Sequence, residues 1–264
     1  MTSDPTFFFS SRKHEEALSH LFYGVTQRKG IIVITGEIGT GKTTLCRFFL
    51  DRVKENTKTA FIFNAHVSES QLLEAIMRDF GIKIKDKARL SFIWEFNNFL
   101  LKEAQAGNNV VLIIDEAQNL KPDQLEQIRL LSNLETEKDK LIQIVLVGQP
   151  ELNQKLELHE LRQLRQRIIV RYHVTPLDKE EIRNYIKHRL SVAGSPNRIS
   201  FTDEALREIT EFSGGTPRLI NIICDRALLA GFVQESDKID LDIIKKCIEE
   251  LGNYSTVDCP KILI

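Results

Sequence analysis

The stretch IIVITGEIGTGKTTLCRFFL, residues 31–50, constrains the fold more tightly than any other part of the chain. A β-branched run, IIVIT, leads into Gly36, and a Gly-Lys-Thr triplet closes a loop before an amphipathic segment begins. Gly36-Glu37-Ile38-Gly39-Thr40-Gly41-Lys42-Thr43 satisfies the pattern GxxxxGK[ST]. Glycines let such a loop turn tightly, so that successive backbone N–H groups converge on phosphate oxygens at the start of a helix. The pattern works only between a strand and a helix, and it therefore predicts an α/β domain with a nucleotide-phosphate site.

Four further runs repeat the strand signal: TAFIFN (59–64), VVLIID (110–115), LIQIVLVG (141–148) and IIVRYHV (168–174). Each is nearly continuous in apolar character, the pattern of parallel strands covered on both faces. The intervals hold crossover helices, such as 43–54 and 69–80. The expected fold class is therefore α/β, with a five-stranded, mostly parallel sheet linked by right-handed crossovers. Beyond Val174 the strand signal stops. Asp178 reads as a helix N-cap, Thr202 or Asp203 as a second, Gly214-Gly215 as a stop, and Pro217 as a first-turn residue. The predicted boundaries are 1–175 for a nucleotide-binding α/β domain, 176–251 for a small all-helical lid and 252–264 for a tail.

Composition narrows the class. With 42% hydrophobic and 28% charged residues the chain is globular rather than disordered. A net charge of −1 gives no global basic field, so any nucleic-acid contact requires a local patch. Cys46, Cys224, Cys247 and Cys259 form no CxxC pair, which predicts reduced thiols. No apolar run approaches the roughly 18–20 residues of a membrane span. The N-terminus also lacks the basic start and long apolar stretch of a signal peptide, so the expected location is the cytoplasm.

Five elements carry chemistry. In the phosphate loop, Lys42 is positioned to bridge the β- and γ-phosphates and Thr43 to ligate Mg²⁺; Gly36 through Thr44, that is Gly36, Glu37, Ile38, Gly39, Thr40, Gly41, Lys42, Thr43 and Thr44, make the nucleotide contacts. VVLIIDEAQNL brings Asp115 to the C-terminal end of a strand, where it can hold the metal, with Glu116 beside it to polarise the attacking water. Gln149, after the strand ending at Gly148, can sense the γ-phosphate if the two strands are neighbours. Arg162, Arg165 and Arg167 precede the fifth strand, and an arginine there can reach a neighbouring subunit's γ-phosphate. Arg218, in GGTPRLIN, can fold back onto the nucleotide and couple lid position to nucleotide state.

These elements, in this order, resemble the AAA+ ATPases. DPTFFFSSRKHEEALSHLFYGV, DEAQNL, VGQPEL, LRQRI and GGTPRLIN make the chain similar more narrowly to the ExeA/GspA (general secretion pathway protein A-like) group over residues 4 to about 250. The resemblance implies ATP and Mg²⁺ as ligands, Asp115 and Glu116 as the Walker B pair, and Gln149 and Arg218 as first and second sensors. It makes Arg167, or else Arg162 or Arg165, an arginine finger acting in a homo-oligomer. It also implies that the stretch from Phe9 to Tyr23 wraps the adenine, with His14 and Glu15 near the base and Gly24 at the strand approach. The expected role is an ATP-hydrolysing switch serving an envelope secretion or assembly system. ExeA proteins at the envelope usually continue into a membrane segment and a peptidoglycan-binding region, whereas this sequence ends at Ile264, so the ATPase module alone is expected. The group is also similar to the TniB, TnsC and MuB transposition ATPases. That likeness makes an ATP-dependent DNA-binding matchmaker the alternative, with KARL (87–90) and the 162–171 arginines as phosphate contacts.

Overall fold

A computed structural model describes residues 4–53, 55–63, 67–83, 89–136, 140–195 and 198–256. The chain divides into two compact units. The first is built mainly of Arg12–Ile38 and Lys42–Thr175; the second takes Thr6–Ser11, Gly39–Gly41 and the chain from Pro176 onward.

The first unit is an α/β layer structure. Its strands β1 (Ile31–Gly36), β2 (Thr57–Ile62), β3 (Asn109–Ile114), β4 (Gln143–Gly148) and β5 (Ile168–Val174) form one sheet in the order β2-β3-β4-β1-β5, and every pairing is parallel. The helices are α1 (Arg12–Thr26), α2 (Lys42–Leu50), α3 (Glu69–Asp79), α4 (Arg89–Gln105), α5 (Pro122–Leu131), α6 (Glu151–Leu156) and α7 (Arg162–Arg167). The three central strands are buried almost end to end. The sequence reading treats all five runs alike, but β2 and β5 are the edges, and their residues alternate between buried and accessible. Lys58 and Arg171 sit on these accessible positions and are signatures of edge strands. β2 also starts two residues earlier than TAFIFN suggests, because Thr57 pairs with Asn109. Phe92 and Phe96 of α4 are buried and Phe96 and Phe99 stack, so SFIWEF contributes packing; Trp94 on its other side is exposed.

The second unit contains α8 (Lys179–Val192), α9 (Asp203–Ser213), α10 (Pro217–Val233) and α11 (Leu241–Thr256) around a core that includes Ile182, Ile209, Ile220 and Ile244. Asp178 caps α8 through a capping box, and the cap of α9 is Thr202 rather than Asp203. A two-residue parallel pair, β6 (Ser200–Phe201) with β7 (Lys238–Ile239), ties the start of α9 to the start of α11. That pair is too short to leave a periodic signal in the sequence. Among the described residues Cys46, Cys224 and Cys247 are free thiols, and Cys259 lies outside them.

The double glycine has two distinct physical roles. Gly214 ends α9 in the left-handed conformation, with φ 53° and open space around it. Gly215 also has positive φ, and a Cβ there would stand 2.1 Å from Leu177 O, because Gly215 O accepts the Leu177 N–H across that contact. Gly214→Ala is expected to cost about 1 kcal/mol. Gly215→Ala should cost about 3 kcal/mol or more, since strain and overpacking add. Thermal melts followed by circular dichroism check the ranking.

Candidate nucleotide-phosphate site

The chemistry-bearing residues of the first unit converge where β1, β3 and β4 end. Register fixes this convergence: Ile114 lies opposite Leu146, and Thr35 opposite Gly148, so Gly36, Asp115 and Gln149 leave the sheet at one edge. In open parallel sheets ligands bind at the carboxyl ends of the strands.

Lys42 is the first residue of α2 and is buried; its Nζ donates to Gly36 O at 2.7 Å and to Glu37 O at 2.9 Å. Burial pushes the ammonium pKa down, and the nearby Glu116 and Asp115 charges oppose that shift. Thr43 Oγ1 donates to Asp115 Oδ2 at 2.6 Å. Burial pushes the Asp115 carboxyl up, against the Thr43 hydroxyl and the Glu116 N–H that bonds its other oxygen at 2.9 Å. Both charges are thus desolvated, and each is driven toward its neutral form. A polyanion at Lys42 and a divalent cation at Thr43 and Asp115 would each offset the cost of burying these charges, so the residues fit ATP and Mg²⁺. The donor set agrees. Among the described residues no cluster of three His, Cys, Asp or Glu could enclose a metal, whereas Mg²⁺ commonly takes one or two protein oxygens plus phosphates and waters.

Glu116 adopts φ 53°, ψ 38°, a left-handed conformation unusual for a residue with a side chain. Strain of this kind costs of order 1–3 kcal/mol and persists where the surroundings hold it. Its Oε2 accepts from Gln118 Nε2 at 2.5 Å and from Gln149 Nε2 at 3.3 Å. Gln149 therefore lies beside the acidic pair, as the strand order requires.

The three arginines are elsewhere. Ile168 pairs with Ile31, and Val174 pairs with Gly36, so Arg167 stands at the end of β5 remote from the phosphate loop. Seven residues of strand span roughly 20 Å, which keeps Arg167 away from its own chain's site. Arg165 forms an ion pair with Glu157, and Arg162 is exposed. In the second unit the Arg218 N–H donates to Gly39 O at 3.2 Å. Gly39 has φ 83°, and a Cβ there would meet the Arg218 Cβ at 2.6 Å, so only glycine admits this approach. The Arg218 side chain is exposed.

The stretch 9–23 is split between the units. Phe9 packs on Tyr185 and His188 in the second, while α1 carries a buried His14 and an exposed Glu15 in the first. Gly24 lies against Ile32 of β1, whose Cδ1 would be 2.5 Å from an added Cβ. Lys87 of KARL lies outside the described residues, as does the side chain of Arg89.

Five polar residues near this edge escape the sequence reading. Gln118 is one. Thr35 Oγ1 accepts from Asn153 Nδ2 at 3.2 Å and lies 3.0 Å from His173 Nδ1, fastening α6 and β5 to the strand that feeds the loop. Lys155 Nζ donates to Gln118 O and to Leu120 O, bracing the turn that follows Glu116. A threonine closing an apolar strand was the one visible signal.

Residues 25–156 match a family model described as AAA domain. The chain is 45% identical over 240 residues to the General secretion pathway protein A of Aeromonas hydrophila, covering 90% of this chain and 44% of that protein. It is 23% identical over 250 residues to an uncharacterized HTH-type transcriptional regulator of Methanocaldococcus jannaschii, of which it spans 60%. Among solved structures, Cdc6p from Pyrobaculum aerophilum aligns with a TM-score of 0.73 at 20% identity, over 94% of this chain and 70% of that one. The Aeropyrum pernix ORC2 protein, in ADPNP–ADP complexes, aligns at 0.68 and 16%, over 96% and 74%. The Thermotoga maritima RuvB Holliday junction branch migration motor aligns at 0.62 and 20%, over 92% and 70%. At these identities the structural likenesses establish the fold. No helix of the described residues is long and apolar enough to cross a membrane.

Proposed function

The chain belongs to the AAA domain family, and on that premise we propose that it is an ATP-binding and ATP-hydrolysing switch that assembles with ATP. The observation that carries the reading is the convergence of Lys42, Thr43, Asp115 and Glu116 at one end of the sheet. Lys42 holds phosphate oxygens in place of the two carbonyls it now bonds, while Thr43 and Asp115 hold Mg²⁺. Bound there, the ion neutralises charge on the phosphates and orients them. Glu116 orients and polarises water, Gln149 reports on the γ-phosphate beside it, and Arg218 follows the loop through its backbone contact with Gly39.

Arg167 stands remote from its own site, and we assign it to the γ-phosphate of a neighbouring copy. Arg165, already paired with Glu157, and the exposed Arg162 are weaker candidates. The likeness to General secretion pathway protein A supports, as part of this proposal, ATP-driven energising or regulation of an envelope secretion or assembly system, from the cytoplasmic side, through a protein partner. No observation among the described residues favours the DNA-matchmaker alternative.

The test is ATP turnover per subunit across a dilution series. A site completed in trans gives severalfold higher specific activity at high concentration, and Arg167→Ala removes the dependence. Constant specific activity, with Arg167→Ala equal to wild type, would overturn the assembly and the finger together.

A further inference from the structure

Gln118 lies two residues beyond the acidic pair, and its side-chain amide joins two elements of the site. Its Nε2 donates to Glu116 Oε2 at 2.5 Å, while its Oε1 accepts the backbone N–H of Gln149 at 3.0 Å. The amide of Gln149 reaches the same Glu116 oxygen, so the three side chains close a ring between the end of β3 and the end of β4. Both flanks of this ring are built for it. Gly148 leaves room for the amide, because a Cβ at that position would stand 2.9 Å from Gln118 Oε1. Lys155, from α6, grips the carbonyls of Gln118 and Leu120 and holds the short turn Ala117–Asn119 in place. Glu116 meanwhile sits in a left-handed backbone conformation that its own side chain does not favour, so something outside the residue must fix its direction.

We propose that Gln118 is a positioning residue for Glu116: its amide fixes the direction of the carboxylate and ties it to the β4 end that carries Gln149. The proposal rests on the ATPase reading and deepens it. Two donors on one oxygen fix both the rotamer and the in-plane direction of a carboxylate. A carboxylate that must address a water at one place depends on that direction, and misplacement by about 1 Å can cost on the order of a hundredfold in rate. Both ends of the Gln118 amide are engaged by Glu116 and Gln149, so its loss is expected to change turnover and leave ATP affinity in place.

The experiment measures kcat and KM for ATP in wild type, Q118A, Q118E and G148A, with Q118A repeated in an E116Q background. Q118E keeps the length of the side chain and an acceptor for the Gln149 N–H, while it replaces the donor to Glu116 with an oxygen whose negative charge repels that carboxylate. G148A crowds the amide, and Leu152 beside it, without removing a polar group, and it carries the test with Q118E if Q118A does not fold. Expected is a fall in kcat of roughly 10- to 100-fold in each single variant, with KM within about twofold of wild type. In the E116Q background Q118A should lower the residual rate no further, because its effect acts through that carboxylate. Turnover of Q118E within about threefold of wild type, a rise in KM in place of the fall in kcat, or the same proportional loss in E116Q each overturns the role of Gln118. Absence of turnover in wild type overturns the ATPase reading instead, which keeps the two failures apart.

Discussion

Lys42→Ala is expected to weaken ATP binding by roughly ten- to a hundredfold while the protein stays folded. The size follows from the net loss of one hydrogen bond to a charged ligand, worth about 1.5–3 kcal/mol, at about 1.4 kcal/mol per tenfold. Persistence of the fold follows from the electrostatics of the free site. The ammonium is desolvated, and burial outweighs the help it receives from Glu116 and Asp115. Its present partners are two backbone carbonyls of its own loop, and Glu37 beside them is exposed, so water can replace the lysine. Removing a buried charge with that little compensation shifts unfolding by only about 1 kcal/mol. Titration with a fluorescent ATP analogue, paired with a thermal melt of the same sample, separates the two effects.

Glu116→Gln is expected to bind ATP as wild type does and to lose turnover by on the order of a hundredfold or more, the scale on which a positioned base contributes. The substitution keeps the size of the side chain, and its amide oxygen can still accept from Gln118 and Gln149. The left-handed backbone at this residue remains equally strained with either side chain, so no large stability change accompanies the lost rate. A variant that lost binding and turnover together would assign Glu116 to ligand contacts rather than to the chemical step.

The strands were legible because IIVIT and VVLII are continuously apolar, as strands inside a parallel sheet are. IIVRYHV matches β5 residue for residue, yet its edge position was not visible, because apolar content alone does not tell one buried face from two. The place of Asp115 was readable from a strand ending in an acid, and the neighbouring position of Gln149 depended on strand order, which only the β3–β4 register supplies. Asn153 and His173 meet Thr35 from 118 and 138 positions away, and no local pattern encodes a contact at such separation. Gln118 is a different case. It lies inside DEAQNL in plain view, but attention to the acids hides the amide, since its role appears only when β4 brings Gln149 and Gly148 alongside. The opposite-end placement of Arg167 likewise needs the β1–β5 register, and it turns a basic cluster into an argument for a second subunit.

The most direct measurement is the identity of the nucleotide that stays on the protein. Wild type and Glu116→Gln are incubated with Mg²⁺ and α-labelled ATP, separated from free ligand, and the bound nucleotide is extracted and resolved. ADP on wild type and intact ATP on Glu116→Gln is the expected result. ADP on both would remove the chemical role of Glu116, and intact ATP on both would contradict hydrolysis at this site.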